Sequence, residues 1–370
     1  MDSLSDLKTT PLTDEHKRLG AKLAPFGGWL MPIQYAGIIA EHQWTRKEAS
    51  VFDICHMGEF FIRGDAEKSG LSKIVTFDVK TMPVGTCRYG FALNDAGGVI
   101  DDLIIYRIAK EEWMVVTNAA TIAGDEAQFR AHLAKGTDFR NASESMGKLD
   151  VQGPKSLGVM KKLIGPGVAE LGYYTFRHFN LLGEKIIVSR TGYTGELGYE
   201  IYISSGKVEA AWKLLLGDIR VKPAGLGARD TLRLEMCYPL YGQDMTAETT
   251  PLEAGMKRFV DLSKDFIGKP ALLQKKTARQ FIYFTANSRR APRHNYRITK
   301  DGQDVGVVTS GSFSPSLSVG IGMGYVTAVY PAGTEIVLKE NDVEIPAIVT
   351  GKPFYKLGTA KILEDTHASA

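Results

Sequence analysis

The chain has 370 residues, 44% hydrophobic and 24% charged, with a net charge of +3. That length is enough for two or three domains, and the composition is that of a soluble globular protein. The small net charge argues against a nucleic-acid footprint, and no apolar run approaches the ~18 residues of a membrane-spanning helix. Cys55, Cys87 and Cys237 are scattered without CxxC spacing, which points to a reducing compartment and away from a structural zinc site. The acidic start, with Asp2 and Asp6 and no basic stretch, does not read as a targeting peptide. The expected location is the bacterial cytoplasm, or the mitochondrial matrix if the source is eukaryotic.

Thr10-Pro11 followed by Asp14 and Glu15 predicts a helix reaching about Leu23, with proline at its first turn and acids at its positive end. Residues 25–32 (PFGGWLMP) predict a breaker-rich aromatic loop, and residues 38–49 a second helix. Residues 52–59 (FDICHMGE) lead into a strand over 60–63. His56 is a candidate general base, but a histidine beside Phe and Met reads more simply as a hydrogen-bonded core residue. Cys55 has no base placed beside it and reads as inert.

Residues 88–93, 99–108 and 113–118 predict a meander of three strands, from their β-branched and aromatic content and from the Gly97-Gly98 turn. On the second strand Asp101 shares a face with Val99, Leu103 and Ile105, while Asp102 points to the other face. An ionised carboxylate on an apolar face is costly unless it meets a partner or lines a cleft. The spacing leaves two readings open for Asp101, a capping or arginine-paired acid and a catalytic one; Asp102 is expected to be structural.

Beyond the meander, 125–134 predicts an amphipathic helix opening after Gly124, and 149–154 a strand turning into a helix. A strand over 185–190 ends in residues 191–200 (TGYTGELGYE). Its glycines leave backbone free to approach a flat ligand, its tyrosines offer faces for stacking, and Glu200 opens the next strand. An ordinary hairpin loop explains the segment equally well, and the glycine spacing is not a dinucleotide fingerprint. Helices are predicted over 207–216 and 226–235; Arg229 near the start of the latter could reach a carboxylate, whereas Arg233 suits a structural salt bridge. Residues 264–276 predict a linker helix, and 280–357 a small barrel or sandwich with turns at Asp301-Gly302 and Asn341-Asp342. The basic cluster Arg289, Arg290, Arg293, His294 and Arg297 reads as a solvated loop.

Taken together, several of these stretches resemble the aminomethyltransferase (T-protein) family of the glycine cleavage system. They are 26–32 (FGGWLMP), 52–59 (FDICHMGE), 97–103 (GGVIDDL), 151–154 (VQGP), 191–200, 226–235 (LGARDTLRLE), 241–245 (YGQDM) and 309–315 (TSGSFSP), in order over almost the whole chain. The resemblance implies an α+β, three-domain cloverleaf with two α+β folate-binding domains on antiparallel sheets and a small C-terminal β-barrel. It implies boundaries at 1–55 plus 145–275, 56–144, and 276–370. It further implies tetrahydrofolate as acceptor co-substrate, no metal, and the lipoylated H-protein as partner, with no role for nucleic acid or membrane. The family's catalytic aspartate falls on Asp101, its pterin-binding glutamate on Glu200 and its folate-contacting arginine on Arg229. Tyr89, Leu103, Asn118 and Tyr193 match channel positions.

Two departures stand out. Cys55 replaces the family's usual serine, and Arg258 stands where many members carry tryptophan, with Phe259 beside it as a substitute. The alternatives are a tetrahydrofolate-dependent demethylase of a small methylated compound on the same fold, and a folate-binding protein of iron–sulfur cluster maintenance. Residues 236–243 (MCYPLYGQ) echo the latter group's cysteine motif, but with extra residues between Cys237 and Gly242.

Overall fold

The structure, a computed structural model, describes residues 6–275, 279–286, 288 and 290–362. Alternation of apolar and polar residues along Met146–Gln152 organises the first sheet. Leu149 and Val151 enter an apolar core with Val51, Ile201 and Trp212, so Lys148, Asp150 and Gln152 take the opposite face. The six strands run Phe176–Leu181, Glu184–Ser189, Gly198–Ser204, Met146–Gln152, Ala49–Asp53, Val221–Pro223. All neighbours are antiparallel except the last pair. Helices Ser156–Ile164 and Val208–Leu216 cover the apolar face through Leu157, Met160, Ala211 and Leu215.

The predicted meander forms as Cys87–Leu93, Val99–Ala109 and Glu112–Thr117, extended by Gly58–Arg63 and Asp138–Asn141 into a five-stranded antiparallel sheet. Phe60, Leu103, Ile105, Trp113, Val115 and Phe129 form its core. Leu103 and Ile105 share this core as their face predicts, but Val99 does not. A register shift opposite Ala92 and Leu93 separates it, and Val99 packs instead with Phe91, Leu93, Met245, Phe266 and Leu272. The segment carrying those last three residues thus lies against this sheet.

The third body is a closed barrel of six strands, Gln280–Ala286, Val319–Val326, Gln303–Ser314, Arg297–Lys300, Glu335–Glu340 and Val343–Thr350 in spatial order. The Asp301-Gly302 turn closes the hairpin between Lys300 and Gln303 with φ of 52° and 79°, the left-handed pair that a two-residue hairpin favours.

Four expectations need correction. The first helix is only Thr13–Arg18, because the chain turns at Gly20 (φ 71°) into a strand. Residues 25–32 are not a loop but most of a hairpin, Lys22–Phe26 with Trp29–Gln34, closed by Gly27 and Gly28 at φ 55° and 84°. Pro25 sits on the edge strand and Pro32 beside a register shift, the places where a sheet tolerates proline. The helix expected from 125 spans Ile122–His132, so Gly124 lies inside its first turn. The linker helix shrinks to Lys269–Gln274; Lys276 falls outside the described residues, as does Arg289 of the basic cluster. In that cluster Arg297 pairs with Asp304 and the His294 ring meets Thr309 O at 2.7 Å, which fits a solvated loop.

Candidate active site

Asp101 is fully buried, at 0% exposure. It is held by Asn118, the residue that follows the third meander strand. The Asn118 backbone N–H donates to Asp101 Oδ2 at 2.9 Å and its Nδ2 donates to Asp101 Oδ1 at 2.8 Å. The same Nδ2 reaches Asp102 Oδ1 at 2.8 Å, while the Tyr89 hydroxyl donates to Asp102 Oδ2 at 2.9 Å. Asp102 is therefore part of the same polar group. Burial first, and then the neighbouring Asp125, push the Asp101 carboxyl well above the usual range. Burial and the Asp101 charge push Asp102 up to about 7. The arginine-paired reading of Asp101 is not realised: its hydrogen-bond donors among the described residues are those of Asn118.

A second polar group sits on the first sheet. Glu200 is buried against Lys148 Nζ at 3.2 Å and accepts from the Thr191 hydroxyl at 2.5 Å. Burial opposes its ionisation, but Lys148, Thr191 and Arg229 outweigh it and hold the carboxyl below its usual value. Arg229, at the start of helix Leu226–Glu235, ion-pairs with Asp150 Oδ2, so the carboxylate it reaches is one of the chain's own. Burial, resisted by Arg229, pushes Asp150 up to about 6.

Tyr193 adjoins the second group. Its ring stacks on Tyr238 with centroids 5.7 Å apart, and the Arg229 guanidinium lies 5.1 Å from its centroid. Burial above all raises its phenol, and the charges of Arg233, Asp102, Asp244 and Arg229 act on it. Tyr89, paired with Phe259 at 4.8 Å, lines a cavity of 330 Å³ together with Arg88, Arg258 and Asp261. Arg258 lies over the Phe259 ring at 4.5 Å. The structure thus brings together Asp101, Asn118 and Tyr89, and separately Glu200 and Arg229, with Tyr193 against Arg229. Leu103 is set apart: it is 1% exposed within the apolar core.

The glycines of 191–200 serve a purpose other than backbone approach to a ligand. A Cβ at Gly192 or Gly198 would lie 2.2 or 2.0 Å from the Gln152 amide. Gln152 in turn donates to Asp150 Oδ1 at 2.5 Å and to Thr191 O at 3.0 Å. The glycine pattern seats Gln152, which orients the acid that holds Arg229.

Residue-by-residue reading missed Lys148, Asp150 and Asp125. The first two had a signal: Lys148, Asp150 and Gln152 alternate with Leu149 and Val151 on one strand, but a strand read from 149 leaves Lys148 out. His56 is buried edge-on to Phe26 at 5.6 Å, its Nδ1 lacks a partner among the described residues, and burial lowers it to about 4. Cys55 is buried with its thiol pushed well up, and its Sγ donates to Lys148 O at 3.4 Å, which suits no nucleophile.

The family model of the GCVT N-terminal domain matches residues 12–264, and that of the glycine cleavage T-protein C-terminal barrel domain matches residues 279–356. An aminomethyltransferase of Phocaeicola vulgatus is 42% identical over 363 residues, covering 95% of this chain and 100% of that protein. One from Halothermothrix orenii is 44% identical over 327 residues, 86% of this chain and 92% of that protein. The crystal structure of glycine cleavage system aminomethyltransferase T from Bartonella henselae matches with a TM-score of 0.88 at 34% identity, over 94% of this chain and 98% of that one. The chain belongs to the glycine cleavage T-protein family.

Proposed function

We propose that this chain carries out the aminomethyl transfer of the glycine cleavage system. The donor is the aminomethyl thioether on the lipoyl arm of the H-protein and the acceptor is tetrahydrofolate. The carbon leaves sulfur and nitrogen for the two folate nitrogens. Of the two protons these lose, one completes ammonia and the other restores the lipoyl thiol.

The observation that carries this reading is Asp101, a buried acid held by two amide donors with no cation neutralising it among the described residues. Once ammonia departs, the one-carbon unit is cationic, and a desolvated carboxylate beside it stabilises that charge and orients or deprotonates the attacking nitrogen. Asn118 fixes the rotamer of Asp101; Tyr89 and Asp102 complete the clamp. Glu200 receives Thr191 and, more loosely, Tyr106 and Tyr202 on Oε2 and Lys148 on Oε1, which leaves a lone pair on Oε1 to accept a donor from a pterin ring. Arg229, engaged by Asp150, supports the role of partner to a channel acid, and Tyr193 offers a stacking face. Leu103, on the same strand as Asp101, backs the site only as part of the apolar core. No group of metal ligands is found among the described residues, and the acid–base chemistry invoked here asks for none.

The six-stranded sheet, the five-stranded sheet and the barrel support a division into 1–55 with 145–275, 56–144, and 276–370, with Met245, Phe266 and Leu272 of the first body packed on the sheet of the second. No helix among the described residues is long and apolar enough to cross a membrane. The three free cysteines and the bacterial relatives support the bacterial cytoplasm as the location.

The test is ammonia release from aminomethylated H-protein, with and without tetrahydrofolate. Strong stimulation with formation of methylenetetrahydrofolate is the expected result. Folate binding without ammonia overturns it in favour of the demethylase reading.

A further inference from the structure

After strand Val343–Thr350 the chain leaves the barrel and returns to the first body. Phe354 packs with Leu234, Cys237 and Phe281, and the Tyr355 N–H donates to Glu235 O at 2.9 Å. The residues that follow lie flush on 195–197. A Cβ at Gly358 would stand 2.5 Å from Gly195 O, so a side chain there would push the two segments apart. The Ala360 N–H donates to Gly195 O at 3.0 Å. The Thr359 hydroxyl donates to Glu196 Oε2 at 2.5 Å and accepts from the Leu197 N–H at 2.8 Å. Arg190, just before Thr191, is buried, and its Nε has no partner among the described residues. Its guanidinium donates to Leu171 O, Ala360 O and Ile362 O. Two of these three acceptors belong to the tail, so a buried cation relies on the tail for its hydrogen bonds.

From Thr359 an unbroken run of hydrogen bonds leads into the site. Glu196 is buried, and its Oε1 accepts from Arg46 Nη1 at 2.7 Å. The same nitrogen donates to Thr194 O at 2.8 Å. The Thr194 hydroxyl donates to Gln152 Oε1 at 2.6 Å, and the Gln152 amide holds Asp150 and Thr191. Asp150 pairs with Arg229, and the Thr191 hydroxyl donates to Glu200. A shift at one link leaves a buried donor or acceptor unsatisfied at the next, which is how such a run passes on a displacement. We propose that Thr359 is a positioning residue: by holding Glu196 it sets, through Arg46, Thr194 and Gln152, the orientation of Arg229 and Thr191. Folate affinity is then coupled to the seating of the tail, and bound folate tightens the tail by the same factor. Asp101 with its Asn118 and Tyr89 neighbours lies outside this run, so the coupling falls on binding and not on the chemical step.

The coupling rests on the reading of Glu200 and Arg229 as folate contacts, whereas the seating of the tail does not, and the experiment keeps the two apart. Hydrogen exchange of residues 191–196 without folate reads the seating. Thr359→Val, close in size but without the hydroxyl, should speed that exchange by roughly 10–100-fold, the loss of one hydrogen bond to a charged group. Thr359→Ser should restore it, and wild-type exchange in the valine variant overturns the proposal. If Thr359→Val does not fold, Gly358→Val gives the same reading by pressing on Gly195 O with every hydrogen-bonding group kept. Folate titration and ammonia release then read the function. Thr359→Val should raise Kd and KM for tetrahydrofolate roughly 10-fold with kcat within about 2-fold of wild type; a fall in kcat at unchanged KM overturns the assignment. In the wild type, saturating tetrahydrofolate should slow exchange of residues 358–362, and bound folate without such slowing overturns the coupling. Wild-type protein that binds no folate defeats the functional reading instead, and the exchange of 191–196 still decides the seating.

Discussion

Asp101 and Glu200 are both strand carboxylates buried near the same interior, yet their surroundings differ in sign. Glu200 has Lys148 at 3.2 Å and Arg229 acting on it, and its carboxyl is held below the usual range. Asp101 has amide donors and two further acids, and its carboxyl is pushed up. A carboxylate compensated by cations is a fixed acceptor, suited to holding a ligand. One that is hydrogen-bonded but uncompensated responds to a positive charge arriving beside it, which suits a reaction that creates one.

Breaking the uncompensated side should have the largest effect. Asp101→Asn is expected to lower turnover by roughly 10²–10⁴-fold while folate binding, measured by fluorescence titration, stays near wild type. Near-normal turnover would remove Asp101 from the mechanism. On the other side, Glu200→Gln leaves Lys148 as a buried cation without its counter-charge. Denaturant unfolding should show a loss of about 3–5 kcal/mol, with weaker folate binding, and unchanged stability would mean that Lys148 is not compensated by Glu200.

Stability against pH sharpens the contrast. Asp102 titrates near 7 in the folded protein against about 3.9 unfolded. Its stabilisation is therefore full below the unfolded value and is lost as pH rises through about 7. The melting temperature of wild type relative to Asp102→Asn should fall between pH 5 and pH 8; a rise would refute the raised value. Glu200 runs the other way, its contribution being present above the unfolded value and lost as acid protonates it. The smallest effect is expected of Cys55→Ser. The Lys148 backbone N–H donates to Sγ at 3.2 Å and Sγ donates to Lys148 O at 3.4 Å, and a hydroxyl can make both bonds. A change in unfolding free energy above about 1 kcal/mol would show that sulfur volume matters there.

Local pattern carried much of this molecule. Helix Leu226–Glu235 begins and ends where the sequence predicts, because its apolar face repeats at helical spacing and Gly225 precedes it. The meander strands agree within a residue or so, and period-two alternation was enough to single out Asp101. The partnerships were not legible. Asn118 meets Asp101 from 17 residues away along the chain, and Lys148 meets Glu200 across two paired strands. Such contacts depend on the register between strands. The glycine-rich segment misled for a related reason, since spacing shows that room is needed without showing for what, and here the occupant is Gln152.

Helix Leu226–Glu235 carries three buried polar contacts at once. Arg229 at its start holds Asp150. Arg233 pairs with Asp244 Oδ2 at 2.9 Å and reaches Ser310 of the barrel at 2.8 Å. Glu235 at its end accepts from Ser316 N and Oγ at 3.0 and 2.8 Å and pairs with Arg46. Detaching the barrel would strip Arg233 and Glu235, on the helix that positions Arg229, of their serine partners. Two bodies wired through one ten-residue helix should unfold cooperatively in a single transition, so the barrel is no removable appendage, and damage to it should register first as misplacement of a distant guanidinium.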